Sequence, residues 1–184
     1  MQPAGYMAKF VEKRPDWLAC PHISEIFSVS NCISDDFCDY INFWKHNGYW
    51  FFDSPALICE VAAKAGVDLE GSTLFYYEAH ELEFDQESLK WSPFDPAEHF
   101  PVAVEVPSSS SLEGFDVVSF YVRSNPECSP LSCNSLAATI PVNRHCLLGS
   151  LTEALAAIEG GQFRQGEPGP LRVFSVHTLP WSVA

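Results

Sequence analysis

A chain of 184 residues with 47% hydrophobic and 18% charged residues has enough apolar material to bury a core and too little charge to be globally disordered. A formal net charge of −14 argues against a nucleic-acid-binding surface, which would be basic, and against attachment to an anionic membrane surface. No stretch approaches eighteen uninterrupted apolar residues, and Met1 to Lys13 lacks the basic start and apolar run of a secretory signal, so a cytoplasmic protein is expected.

The first helix is expected from about Asp35 to His46. Ser34 is a good N-cap, Asp35 and Asp36 suit the first turn, and Phe37, Tyr40, Ile41 and Trp44 share one face. Tyr49–Phe52 reads as a short strand. Asp53-Ser54-Pro55 then opens a second helix with Leu57, Ile58, Val61, Ala62 and Ala65 inward, Glu60 and Lys64 as an outward pair, and Gly66 as its stop. Thr73–Phe84 is a strand, so residues 49–84 form a candidate βαβ unit. Val102–Val106 and Asp116–Val122 also read as strands. A third helix begins at Ser150 with Glu153 completing a capping box, and Leu171–Leu179 is a closing strand. The expectation is a single α+β domain over residues 1–184, with a mixed or mainly antiparallel sheet and about three main helices. A minor boundary would fall at the serine-rich stretch 107–111, read here as a surface turn between strands.

Charge is unevenly distributed. Residues 1–59 hold seven acids and four bases, residues 60–116 thirteen and two, and residues 117–184 four of each. An excess of −11 in the middle third favours a basic partner protein through electrostatic steering. Glu78, Glu81, Glu83 and Asp85 are the candidate partner-binding residues, with Tyr76, Tyr77, Phe84, Trp91 and Phe94 as interface anchors or as core.

The loop from Ser124 to Leu136 follows an apolar strand and carries Cys128 and Cys133. Cys20, Cys32, Cys38, Cys59 and Cys146 complete an odd, scattered set, which suits reduced thiols better than a disulfide framework. Cys128 and Cys133 with His145 and Cys146 offer four soft-metal ligands, although the adjacent His145-Cys146 hook is an awkward one for a tetrahedron. Cys133 is also a candidate catalytic nucleophile with His145 as its base, because a thiol near a helix start gains thiolate character. A Cys128–Cys133 disulfide is geometrically possible and would imply a redox role. In Glu78-Ala79-His80-Glu81-Leu82-Glu83-Phe84-Asp85, a regular strand places Glu78 and His80 on one face as an ion pair.

Glycine-rich phosphate loops, H-E-x-x-H and G-x-S-x-G are all missing from the sequence. Gly114-Phe115-Asp116-Val117-Val118, the Ser124–Asn134 run and Glu167-Pro168-Gly169-Pro170 resemble segments of a small uncharacterised bacterial protein family. That resemblance covers mainly the C-terminal half, implies a bacterial cytoplasmic origin and supplies no catalytic residues. The leading expectation is therefore an acidic interaction module for a basic protein partner, with an immunity or antitoxin-type inhibitor as one version. The alternatives are a small hydrolase or transferase using Cys133 and His145, or a zinc-binding domain. No cofactor other than that zinc is expected, and neither nucleic acid nor membrane is expected as a partner.

Overall fold

A computed structural model describes residues 1–40, 47–94, 101–120 and 128–181. In chain order its elements are β1 (Gln2–Phe10), β2 (Asp35–Asp36), α1 (Pro55–Ala65), β3 (Thr73–Asp85), β4 (Lys90–Pro93), β5 (Ser111–Ser119), the single-turn α2 (Pro130–Cys133), α3 (Leu151–Glu159) and β6 (Leu171–Leu179). The strands form one antiparallel sheet in the order β2-β1-β3-β6-β5, with β4 paired to the far end of β3. The fold class is α+β, as expected.

β3 organises the sheet. Its first half pairs with β1 and β6, and Leu74, Phe75, Tyr76 and Tyr77 are all buried. Between Ala79 and Glu83 its register against β6 shifts, and beyond that irregularity β4 replaces β1 as its other neighbour. An irregularity of this kind bends a strand and increases its twist.

Successive side chains of a strand point to opposite faces, and both faces of this sheet are covered. Val118, Phe174 and Val176 join Ile58, Val61 and Ala62 of α1 in one apolar cluster. Val117, Leu171 and Val173 join Ala154, Ala157 and Ile158 of α3 in a second. Burying each valine, leucine, isoleucine or phenylalanine among them contributes about 2 kcal/mol, and each alanine less. Burial on two sides also explains why the central strands lack a clean apolar–polar alternation.

Both long helices begin as expected, and α1 also ends as expected. Ser54 Oγ accepts the Leu57 N–H at 3.2 Å and Gly66 closes α1 at φ 74°. Ser150 Oγ accepts the Glu153 N–H at 3.2 Å, while Glu153 Oε2 accepts the Gly149 N–H at 2.9 Å.

Several expectations are corrected. Asp35 and Asp36 are not the first turn of a helix but pair with Phe10 and Lys9 as β2. Ser34 is buried, donating to the Ile26 carbonyl and accepting from Glu12 N–H, so it is not available as a helix cap. A 3-10 turn follows at Phe37–Tyr40, and residues 41–46 lie outside the described residues. Tyr49–Phe52 is a turn rather than a strand, because the Asn47 side-chain oxygen accepts from both Tyr49 and Phe51 N–H and only Phe52 bridges to Tyr6. With β3 antiparallel to β1, residues 49–84 do not form a parallel βαβ unit. Val102–Val106 has no strand pairing, although Glu105 N–H bonds the Asp53 carbonyl. β5 begins at Ser111 and ends at Ser119, earlier at both ends than expected. Among the described residues, no helix is long and apolar enough to cross a membrane.

Candidate thiol cleft

A buried carboxylate builds the most distinctive cluster of chemistry in the molecule. Asp116 alternates inward on β5 and is 1% exposed. Its Oδ2 accepts the Val29 N–H at 2.8 Å and the Ser129 hydroxyl at 2.6 Å. Ser129 Oγ also lies 3.2 Å from Ser30 Oγ. One side chain thus ties the segment before Cys32 to the segment containing Cys128. The same N-terminal segment is held from β1, where the buried Lys9 ammonium donates to the carbonyls of Ser28, Val29 and Ser30.

The other wall comes from β5 and α2. Ser119 N–H bonds the Cys128 carbonyl at 2.8 Å. Pro130 starts α2, a place where its missing N–H costs nothing. One turn later the Cys133 N–H bonds the Ser129 carbonyl at 2.9 Å, folding Cys133 back towards Cys128. The result is that the sulfurs of Cys32, Cys128 and Cys133 all lie within 4.8 Å of one another. Cys32 is exposed, Cys133 half-buried and Cys128 buried. They line a cleft of about 460 Å³ with Ser119, Asn134, Glu167 and Pro168. Cys128 Sγ donates to Asn134 Oδ1 at 3.4 Å, and Asn134 Nδ2 donates to Glu167 Oε1 at 3.3 Å.

The three thiols share protons unequally. Hydrogen bonds from Cys128 and Cys133 pull the Cys32 thiol far below its ordinary range, helped by Ser30 and by the Lys9 charge. Hydrogen bonding with Cys133 and Cys32, together with burial, moves the Cys128 thiol upward. Cys133 accepts from Cys128, which lowers it, but donation to Cys32 and burial carry it upward overall. The shifts thus run in opposite directions, downward at Cys32 and upward at Cys128 and Cys133. Beneath them, burial pushes the Asp116 carboxyl up to about 6 despite the hydrogen bonds from Ser129 and Val29 and the nearby Lys9 charge.

Cys128 and Cys133 are thus brought together, with Cys32 rather than His145 and Cys146 as the third member of the group. His145 lies against other residues. Its ring stacks on Phe27 with centroids 3.9 Å apart, Nδ1 faces Glu25 at 3.6 Å and Nε2 faces Glu113 at 3.7 Å. Burial and the adjacent Arg144 charge lower its pKa. Cys146 is packed in the α3-side apolar cluster, and burial raises its thiol pKa.

The acidic candidates are mostly engaged within the fold. Glu78 accepts from Ser175 and Tyr76 hydroxyls and lies 3.9 Å from His177, not paired with His80, whose Nδ1 meets the Leu82 backbone. Glu83 accepts from Arg172 Nε at 2.7 Å. Asp85 caps a turn through Ser88 N–H, and that bond lowers its carboxyl pKa. Glu81 is exposed. Tyr76, Tyr77, Phe84 and Phe94 are core residues, and half-buried Trp91 donates to Glu159 Oε1 at 3.0 Å.

Sequence reasoning did not find Cys32, because a search for ligand hooks looks for close spacing and Cys32 reaches the loop only through the fold. Its one local signal was Ser28-Val29-Ser30-Asn31-Cys32, a short polar stretch without helical or strand periodicity. No protein-family model, no curated protein and no solved structure matches the chain.

Proposed function

We propose that this protein binds a soft divalent cation of the zinc class through Cys32, Cys128 and Cys133. The observation that carries this reading is the convergence of three sulfurs within 4.8 Å from two distant parts of the chain. Zinc–sulfur bonds of about 2.3 Å in a tetrahedron place sulfurs about 3.8 Å apart, so modest side-chain adjustment would suit the group. Three cysteines leave one position of a four-coordinate ion for water, Glu167 or an incoming ligand from the cleft. The buried Lys9 ammonium offsets part of the negative charge of three thiolates, and Asn134 is placed to hold the Cys128 sulfur as an outer partner.

An acidic docking face for a basic protein is the less favoured reading, since Glu78, Glu83 and Asp85 are tied to neighbours within the fold and Glu81 is the one left exposed.

Zinc and cobalt titration of the reduced full-length protein tests the metal site. Stoichiometric binding with a thiolate-to-cobalt charge-transfer band is expected. Cys32→Ser, Cys128→Ser and Cys133→Ser should each weaken zinc by about 100-fold or more, while Cys146→Ser retains it. Absence of stoichiometric metal from the folded, reduced protein would reject the reading.

A further inference from the structure

We infer that the same three sulfurs form a two-electron thiol switch, in which a hydroperoxide oxidises Cys32 and either Cys128 or Cys133 closes a disulfide on it. The inference stands on sulfur spacing and exposure, so it goes beyond the metal reading and does not need a bound ion. Cys32 is the exposed member of the group, while the other two sulfurs lie behind it within 4.8 Å. A small oxidant entering the cleft of about 460 Å³ meets the exposed sulfur first. Cys32 also sits in the irregular stretch between Ser30 and β2, and Cys133 ends a helix of one turn. Neither sulfur is carried by a long rigid element, so the approach to a bond of about 2 Å is a loop-scale movement.

The chemistry balances in two displacements. The Cys32 sulfur attacks one oxygen of the hydroperoxide, the O–O bond breaks, and the second oxygen leaves as hydroxide or alkoxide and takes up a proton. Cys32 is then a sulfenic acid, two electrons oxidised, and the peroxide is reduced to water or alcohol. The sulfur of Cys128 or Cys133 attacks the Cys32 sulfur. The S–S bond forms as the S–O bond breaks, and hydroxide leaves with the proton of the attacking thiol as a second water. Two neighbours within 4.8 Å make the resolving step redundant. Where zinc occupies the site, disulfide closure removes two of its three protein ligands and releases it.

Hydrogen peroxide added to the reduced, metal-free, full-length protein tests this, with cysteine linkage read by mass spectrometry. The expected product is an intramolecular disulfide joining Cys32 to Cys128 or Cys133. Cys128→Ser and Cys133→Ser should each still close a bond. The double variant Cys128→Ser/Cys133→Ser should stop at a Cys32 sulfenic acid that a dimedone-type probe traps. Cys32→Ser should lose at least about ten-fold in the rate of peroxide consumption, with near-UV circular dichroism confirming that it folds. Oxidation confined to Cys59, the exposed cysteine of α1, would overturn the inference, as would an unchanged rate in Cys32→Ser or a disulfide that omits Cys32. Disulfide closure without zinc affinity rejects the metal reading alone, and zinc affinity without disulfide closure rejects this one alone.

Discussion

Ser129 donates to Asp116 across 2.6 Å with both side chains buried, and that same carboxylate oxygen also accepts the Val29 N–H. The pair joins the two chain segments that carry the cleft's thiols. Asp116 is therefore expected to contribute both to the stability of this region and to its response to pH.

The Asp116 carboxyl rises from 3.8 to about 6 on folding, mainly through burial. The folded state holds the proton more tightly, so across pH 4 to 6 it binds more protons than the unfolded state. This contribution is most favourable at the acid end, falls as pH rises through that window and is flat above about 6. Asp116→Asn should remove about 3 kcal/mol of that pH-dependent difference. Urea unfolding of both proteins at the two ends of the window measures it, and parallel pH slopes would refute the assignment.

Arg172 holds its guanidinium 3.7 Å and 3.9 Å from the ring centroids of Phe94 and Phe120 while donating to Glu83 at 2.7 Å. Glu83→Ala leaves a buried cation without its counter-charge and should cost about 3 kcal/mol. Adding Arg172→Met fills the space between the rings with an apolar chain and should recover most of that loss. Chemical denaturation of the single and double variants reads this directly. A double variant less stable than Glu83→Ala would show that the rings require the cation itself.

His145 is held by its stack on Phe27, so His145→Ala should lose about 2 kcal/mol of stability and leave zinc affinity unchanged. Its lowered pKa adds a pH effect of opposite sign to that of Asp116. The unfolded imidazole protonates near 6.5 and the folded one at lower pH. Its contribution is therefore present above 6.5 and lost as pH falls. A zinc titration on the folded variant separates the structural role from a ligand role, since a large loss of affinity would reinstate His145 at the metal.

Asn134 touches Cys128 Sγ from one end of its amide and Glu167 from the other. With a thiolate at Cys128, a rotated amide would donate to the sulfur instead. Asn134→Ala is expected to weaken zinc about ten-fold while leaving thermal stability nearly unchanged. Competition against a chromophoric chelator measures the shift, and an affinity equal to wild type would remove Asn134 from the outer shell.

Gly5 lies in β1 at φ 138°, and a Cβ there would stand 2.7 Å from both Phe51 Cβ and the Phe52 carbonyl. Gly5→Ala should cost on the order of 3 kcal/mol, with the clash adding to a backbone conformation that alanine rarely adopts. A shift in thermal midpoint of under a degree or so would show that β1 can move aside.

The local grammar of α1 and α3 was legible because caps, stop signals and apolar stripes act within a few residues. β3 was legible from its run of aromatic and β-favouring residues, and β6 from the alternation of Val173, Ser175 and His177 with Phe174, Val176 and Thr178. β1 was not, because Pro3, Gly5 and inward Lys9 disguise a strand whose identity comes from its neighbours. Asp35 and Asp36 misled because they resemble a helical first turn when the partner strand is out of view. Cys128 and Cys133 marked the right place for the cleft. Cys32 stayed hidden because the tie through Asp116 and Ser129 is a property of topology, and no short spacing encodes it.

The thiol group also has a consequence for biosynthesis. Cys32 is separated from Cys128 and Cys133 by about half of the chain, so a ribosome-bound intermediate that has emerged only through β3 exposes Cys32 without its companions. The site can assemble only after α2 has been made and the closing strand β6 can seat β5 in the sheet. Loop closure over such a separation is slow relative to local helix formation. Occupancy of the three sulfurs would then report that the segment before β2 and the segment after β5 have found one another, a chemical mark that the sheet has closed around the cleft.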